Sequence, residues 1–413
     1  MSDQLQTKKL GDPNVADVIL GQSPPSSTYN DKSDGLPFFQ GKADFGLLYP
    51  VPRMWCNSGQ KFAKRGDILM SVRAPVGDVN IATDKCVIGR GVAAIRASSN
   101  IDPWFLYFAL LHSKPTLEAR ATGSTFASVN KATLHDLEIP FVTRNEQTVI
   151  GSLLKQLILK IEQENHSLDT TTSLKQATMR KLFTRGLYGE AQKETEIGLM
   201  PESWGIDILG SRHNVVSGGT PSRNNPSYWT GGTIPWVKTT EVNYRTITAT
   251  EEHITPQGLE NSAAKMLPVG TLMMAMYGQG VTRGKVAILG IEAACNQACA
   301  AITPKDDVIL PRYLYHFLSW RYEAIRSLAH GGQQQNLNLE IVRDLSVVFP
   351  KSKKEQEEIV TILDAFDCKI ALHKQKRAVL EELFKSLLHK LMTGEIHVSE
   401  LNLAALSPNE ATV

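Results

Sequence analysis

The feature that most constrains this chain is that it is written twice. A repeat whose period is half of 413 residues means two copies of one structural unit, and every later reading depends on seeing it. Glu146-Gln147 matches Glu355-Gln356, and the same shift pairs Leu154 with Leu363, Lys160-Ile161 with Lys369-Ile370 and Leu174 with Leu383. Lys181-Leu182-x-Thr184 then meets Lys390-Leu391-x-Thr393 without a gap. Upstream, Gly66 to Met70 aligns with Gly270 to Met274, Ala93 to Ile95 with Ala300 to Ile302, and Asn130 with Asn338. Nearer the start, Gly21-Gln-Ser-Pro24 aligns with Gly218-Gly-Thr-Pro221 and Pro37 with Pro235. The shift drifts only as loop insertions would make it drift, so the order is globular unit, helix, globular unit, helix.

The helical segments carry strong boundary signals. Thr143-x-x-Glu146 and Ser352-x-x-Glu355 are capping boxes just ahead of apolar periodic runs, and Gly186 and Gly394 supply the stops. The second helix, from about 353 to 392, would be about 60 Å long at 1.5 Å per residue, several times the usual globular length. Its apolar positions Ile359, Leu363, Phe366, Ile370, Leu380, Phe384, Leu387 and Leu391 alternate by four and three, with His373 and Arg377 in the same seam. That is a heptad pattern. The first helix keeps it at Ile150, Leu154, Leu157 and Ile161, then turns polar at Glu164, Thr171, Lys175 and Thr178, where looser pairing or cover by a partner is expected. Flanks rich in Lys, Glu and Gln predict a solvated antiparallel coiled coil.

Each globular unit mixes short β-like runs, such as Gly66 to Val72 and Val92 to Ile95, with one helix: Trp104 to Leu111 in the first, Tyr313 to His330 in the second. The fold class is α+β: two tandem units alternating with two long paired helices, related by a pseudo-twofold. The boundaries fall at 1–142 and 187–350 for the units, 143–186 and 351–395 for the helices, and 396–413 for a tail that is aperiodic and expected to be disordered after Val398.

No chemistry-bearing motif survives inspection. Gly278 to Lys285 has Gln279 where a phosphate loop needs its first glycine and Val286 where it needs Ser or Thr; it reads as a tight loop exposing Arg283 and Lys285. Asn225-Pro226-Ser227-Tyr228 lacks the second proline of the adenine-methyltransferase tetrapeptide. No HExxH or GxSxG is present. Cys56, Cys86, Cys295, Cys299 and Cys368 form no CxxC pair and read as buried thiols, so no metal site is indicated. No apolar run reaches the roughly 20 residues of a membrane span, and the polar N-terminus lacks a signal core, so a cytoplasmic location is expected.

The doubled layout resembles the specificity subunit of type I restriction-modification enzymes over about Leu10 to Glu395. It does so through Gly21-Gln-Ser-Pro-Pro-Ser-Ser27, Pro37-Phe-Phe-Gln-Gly41, Gly218-Gly-Thr-Pro-Ser222, Pro235-Trp-Val, Glu196-Ile-Gly and Lys390-Leu-Met-Thr-Gly394. The resemblance implies that each globular unit is a target-recognition domain for one half of an asymmetric, bipartite double-stranded DNA site. It implies that the helices set the spacing and dock two modification (methyltransferase) subunits, with restriction subunits joining the complex. The chain itself would be non-catalytic and hold no cofactor, S-adenosylmethionine, ATP and Mg belonging to partner subunits. The competing expectation is a coiled-coil scaffold without DNA readout, which leaves two polar-looped units unexplained.

Charge gives such a DNA reader little grip. The net value is +2, with +2 over residues 1–140 and −1 over 191–350, so tight binding is expected only with partner subunits. Side chains suited to base edges in loops or after turn signals are Tyr29, Gln40, Lys42, Arg73, Arg90, Ser124, Thr125 and Lys131 in the first unit. The second offers Tyr228, Lys238, Thr239, Tyr277, Gln279, Arg283, Lys285 and the run Gln333, Gln334, Gln335, Asn336.

Overall fold

The computed structural model describes residues 5–121, 127–278, 281–329 and 336–401. Contacts divide the chain into two compact units, one of residues 1–167 with 373–413 and one of residues 168–372. The division falls inside the two long helices, so each unit holds a segment of both.

In the first unit the main sheet is antiparallel, with strands in the order Ala16–Leu20, Val92–Ala97, Ile68–Ser71 and Val79–Ile81. Ala94 lies opposite both Ile19 and Leu69. A second sheet runs Tyr29–Asn30, Trp55–Cys56, Leu36–Phe39, Cys86–Ile88, Phe62–Ala63, its one parallel pairing joining Leu36–Phe39 to Cys86–Ile88. The domain helix Pro103–His112 starts where the Asp102 carboxylate accepts the N–H groups of Trp104 and Phe105, with Pro103 pre-set for a first turn. Phe105 to Leu110 are all buried, as expected of a helix apolar on every side.

The second unit repeats this plan. Its larger sheet runs His213–Ser217, Cys299–Pro304, Leu272–Ala275, Val286–Leu289, Thr246–Ile247, and a smaller one Glu252–Ile254, Ile234–Val237, Ala294–Cys295. The single helix expected from Tyr313 to His330 is two, Pro311–Trp320 and Tyr322–Ser327. They break at Arg321, whose guanidinium reaches the Ile197 carbonyl at 3.3 Å; His330 lies outside the described residues.

The long helices are Arg144–Arg185 and Lys353–Thr393. Their N-terminal turns belong to the core of the unit each follows. Ile150, Leu153, Leu154 and Ile158 pack with Leu106 and Phe108, while Ile359 and Leu363 pack with Leu314 and Phe317. Each such side chain contributes about 1.5–3 kcal/mol on leaving water. The other end of each helix completes the opposite core: Leu391 and Met392 enter the first, Met179, Leu182 and Phe183 the second. Within each unit the helix segments therefore run antiparallel.

Of the seam, Ile150, Leu154, Leu157, Ile161, Ile359, Leu363 and Leu391 are buried, and Phe366, Ile370, Leu380, Phe384 and Leu387 are half-buried. The polar stretch of the first helix departs from expectation. Glu164 and Thr171 are buried, and Lys175 donates to Asp367 at 2.5 Å, so this stretch is paired by polar groups of the second helix. Four of the cysteines are buried, but Cys368 is exposed on its helix, against the expectation for all five.

The Thr143 capping box closes both ways, Thr143 N–H to Glu146 at 3.0 Å and Glu146 N–H to Thr143 Oγ1 at 3.4 Å. Its counterpart is half used, because Glu355 turns to accept the Leu187 N–H at 3.2 Å. Gly186 and Gly394 end the helices at φ 64° and 75°, left-handed conformations that favour glycine.

Candidate nucleic-acid interface

In the first unit five loops are tied side by side by backbone hydrogen bonds. Gln22 donates to Ile88 at 3.0 Å, Gly89 to Phe39 at 2.8 Å, Val72 to Gly91 at 2.9 Å, Ala74 to Ala127 at 2.9 Å and Val129 to Val72 at 3.0 Å. The approach is close enough to need glycine: a Cβ on Gly21 would lie 2.2 Å from the Gly89 carbonyl oxygen. Gln40, Arg73, Arg90 and Lys131, all exposed, stand on or beside these loops. Ser23 accepts the Arg90 N–H at 3.2 Å, and Arg73 bridges Ser128 through the backbone.

The same ties recur in the second unit. Gly219 donates to Cys295 at 2.9 Å, Asn296 to Val237 at 3.0 Å, Met276 to Ala298 at 2.9 Å and Leu337 to Met276 at 3.0 Å. A Cβ on Gly218, the counterpart of Gly21, would sit 2.0 Å from the Cys295 carbonyl oxygen. The scaffold therefore puts Tyr277 where Arg73 stands, Gln297 where Arg90 stands and Lys238 where Gln40 stands. Tyr277 is 43% exposed and Gln297 is exposed; the Thr220 hydroxyl, counterpart of Ser23, bonds the Gln297 amide.

The remaining candidates separate by what already holds them. Tyr29 donates to the Pro24 carbonyl at 2.7 Å and packs its ring on Phe38 at 4.7 Å, a structural use. Lys42 is exposed but pairs with Asp78 at 3.2 Å. Lys238 pairs with Glu251 at 2.7 Å and Glu252 at 3.2 Å, and donating to Glu251 and then to Glu252 raises its ammonium above the usual range. Tyr228 and Thr239 are half-buried in single-turn helices. The loop expected to expose Arg283 and Lys285 does not: Arg283 is 9% exposed, and half-buried Lys285 donates to Asn243 at 2.8 Å. Charge beside glycine suggested exposure there, but the Gly284 N–H pairs back onto Ala275 and folds the loop against the sheet. Ser124, Thr125, Gln279, Gln333, Gln334 and Gln335 lie outside the described residues, while Asn336 is exposed.

Sequence reasoning passed over Gln22 and Gln297, both exposed on these loops. Selecting by residue type favoured arginine and lysine; aligning the two halves residue by residue around Arg90 would have found Gln297. The surface carries Arg73, Arg90 and Lys131 in the first unit and mainly neutral hydrogen-bonding groups in the second. It offers donors and acceptors at fixed spacing, and little net charge for a phosphate backbone.

Comparison with known proteins places the whole chain. The family model described as "Type I restriction modification DNA specificity domain" matches residues 6–171 and 201–382. A putative type I restriction enzyme MjaX specificity subunit from Methanocaldococcus jannaschii is 40% identical over 177 residues, 43% of this chain and 42% of that one. The MjaIX specificity subunit of the same organism is 30% identical over 203 residues, 47% of this chain and 46% of that one. The chain thus aligns with less than half the length of either relative. A crystal structure of the S subunit of a type I restriction-modification system from M. genitalium shares the fold, with a TM-score of 0.68 at 17% identity, covering 95% of this chain and 97% of that one. With both of its halves matched, this chain belongs to the type I restriction-modification DNA specificity family.

Proposed function

We propose that this chain is the DNA sequence-specificity subunit of a type I restriction-modification complex. Each unit reads one half of an asymmetric, bipartite double-stranded target, and the helices common to both units set the spacing and dock two modification subunits, with restriction subunits in the full complex. The chain is non-catalytic; S-adenosylmethionine, ATP and Mg act in the partner subunits. The complex is placed in the cytoplasm; no helix among the described residues is long and apolar enough to cross a membrane.

One observation carries the reading. Equivalent loops, held by equivalent backbone hydrogen bonds, present different side chains: Arg73 against Tyr277 and Arg90 against Gln297. A shared scaffold with unlike tips is what two readers of unlike half-sites require, since base edges are distinguished by the donors and acceptors placed against them. The low charge supports a reader that relies on partners for much of its affinity.

The test is a gel-shift of the intact chain with and without its methyltransferase partner, together with mapping of methylated adenines in cells carrying the system. A divided, asymmetric motif bound selectively in the presence of the partner is the expected result. Absence of selective binding in both samples would leave a scaffold role, and an undivided or palindromic motif would remove the case for two different readers.

A further inference from the structure

Five positions that the repeat makes equivalent carry opposite chemistry in the two units. In the first they are Trp104, Phe108, Lys155, Ile158 and Phe384; in the second they are Arg312, His316, Asp364, Asp367 and Lys175. In both, the domain helix supplies the first pair, the N-terminal part of one long helix the second pair, and the C-terminal part of the other long helix the last residue.

The first set is apolar and aromatic. The Phe108 and Phe384 rings meet edge-on at 6.0 Å, Trp104 lies 6.3 Å from Phe108, and Ile158 is buried in the same core. Lys155 does not enter the cluster as a free charge; its ammonium sits 4.3 Å over the Trp104 ring. The second set is ionic. Lys175 donates to Asp367 at 2.5 Å, Arg312 to Asp364 at 2.7 Å, and the fully buried His316 places Nε2 2.7 Å from Asp364. Two cations face two carboxylates, and burial lowers the His316 pKa, which favours its neutral ring. His316, Asp364 and Asp367 are near enough to one another to suggest a cation site, but Arg312 and Lys175 already neutralise both carboxylates.

We propose that these sets are matched keys that assign each long-helix end to its own unit. The Phe384 end fits the aromatic set and the Lys175 end fits the acidic one. Exchanged, each is rejected: Lys175 against Trp104, Phe108 and Ile158 is an ammonium without a carboxylate, and Phe384 against Asp364 and Asp367 strips the acids of a partner. Breaking one side of these partly buried pairs leaves a poorly solvated charge behind, so mismatch is penalised more strongly than match is rewarded. Two units built on one scaffold need such a distinction, because the apolar seam positions that join each unit's core, Ile150 and Leu154 in the first and Ile359 and Leu363 in the second, are leucine or isoleucine in both and select neither.

The test uses the intact chain and its thermal unfolding. Lys175→Phe alone is expected to lower Tm by roughly 4–10 °C. Adding Arg312→Trp, His316→Phe, Asp364→Lys and Asp367→Ile, which rebuilds the first unit's set in the second, is expected to restore at least half of that loss. In the first unit, Phe384→Lys is expected to lower Tm, and Ile158→Asp added to it to recover part of the drop, although Ile158→Asp alone is destabilising. Recovery by the repeat-equivalent residues separates a matched key from ordinary packing, which extra core substitutions would only worsen. A Lys175→Phe chain as stable as the parent, or combined chains no more stable than their single variants, would overturn the proposal.

Discussion

Glu164 and His373 occupy the same place in the two copies of the repeat, 209 residues apart, and their side chains meet with Glu164 Oε2 2.7 Å from His373 Nδ1. Lys376 pairs with the other carboxylate oxygen. A position of the heptad seam that would hold leucine in a simple coiled coil is thus filled by a buried carboxylate and two basic partners. Equivalent positions hold unlike residues, so this contact favours the helix of one copy against the helix of the other.

Glu164→Lys is expected to destabilise the chain by about 2–4 kcal/mol, since it sets like charges together where the side chain is 8% exposed. Lys376→Glu added to it should regain at least half. Hydrogen bonds from Lys376, then from His373, hold the Glu164 carboxyl below its ordinary range. A depressed carboxyl contributes stability above the unfolded value near 4.3 and loses it as pH falls through the folded value. The gap between the parent and Glu164→Gln should therefore narrow as pH drops below about 4.5. Urea midpoints at unchanged m-value measure both effects, and a Glu164→Lys midpoint equal to the parent's would refute the first.

The most visible piece of the repeat, Glu-Gln at 146–147 and 355–356, has a structural cause that predicts its sensitivity. Gln147 is buried; its carbonyl oxygen accepts the Asp102 N–H at 2.8 Å and its amide donates to Val142 at 2.9 Å. Gln356, fully buried, does the same with Leu310 at 2.9 Å and with Val308 and Pro350 at 2.8 Å. Each glutamine ties the first turn of a long helix to the start of the domain helix. Gln356→Leu leaves three backbone groups without partners, at about 1–3 kcal/mol for an orphaned buried group. A loss of about 3 kcal/mol or more is expected for Gln356→Leu and somewhat less for Gln147→Leu, read by denaturant unfolding. Leucine tolerated at both positions would mean that water replaces these bonds.

The periodicity that marked the helices was legible because a 3.6-residue helix with alternating four and three spacing leaves few other solutions. Ile150, Leu154, Ile359 and Leu363 showed it and are buried. What sequence could not give was which groups face the polar positions. Lys175 looks unsatisfied along the chain, and only the antiparallel register brings Asp367 to it. The loop residues were legible by type but not by use: Tyr29 and Lys238 carry the right chemistry, yet Pro24 and Glu251 already occupy it. Arg73 and Arg90 have no such competitor in their immediate sequence, and both are exposed.

Acid should weaken the second unit through His316. Burial, the largest influence, lowers its pKa despite the hydrogen bond to Asp364, so the folded state prefers the neutral ring. A histidine lowered on folding contributes stability above its unfolded value near 6.5 and loses it as pH falls toward the folded value. Asp364, which burial alone would raise, is held at about 2 by hydrogen bonds from His316 and Arg312, so its own contribution persists until far lower pH. Tm is therefore expected to fall between pH 7 and 5.5, and to fall less in His316→Gln. Equal pH slopes for the two chains would assign the acid sensitivity to other groups, such as buried His213.

Arg90 and Gln297 hold the same place on the two candidate reading surfaces, and this equivalence gives the sharpest expectation about recognition. Arg90→Ala should relax selectivity in one half of the target and leave the other intact; Gln297→Ala should do the reverse. A lost bidentate base contact costs about 1–3 kcal/mol at one position. A lost phosphate contact instead weakens all sequences alike and lowers the salt slope by about 0.9. Because Gln297 is uncharged, its loss should leave the salt slope unchanged, whereas Arg90→Ala can alter both. Binding of the intact chain with its methyltransferase partner to targets randomised in one half at a time separates these cases. Uniform weakening across all sequences by both variants would place these loops on the backbone and move base reading elsewhere on each unit.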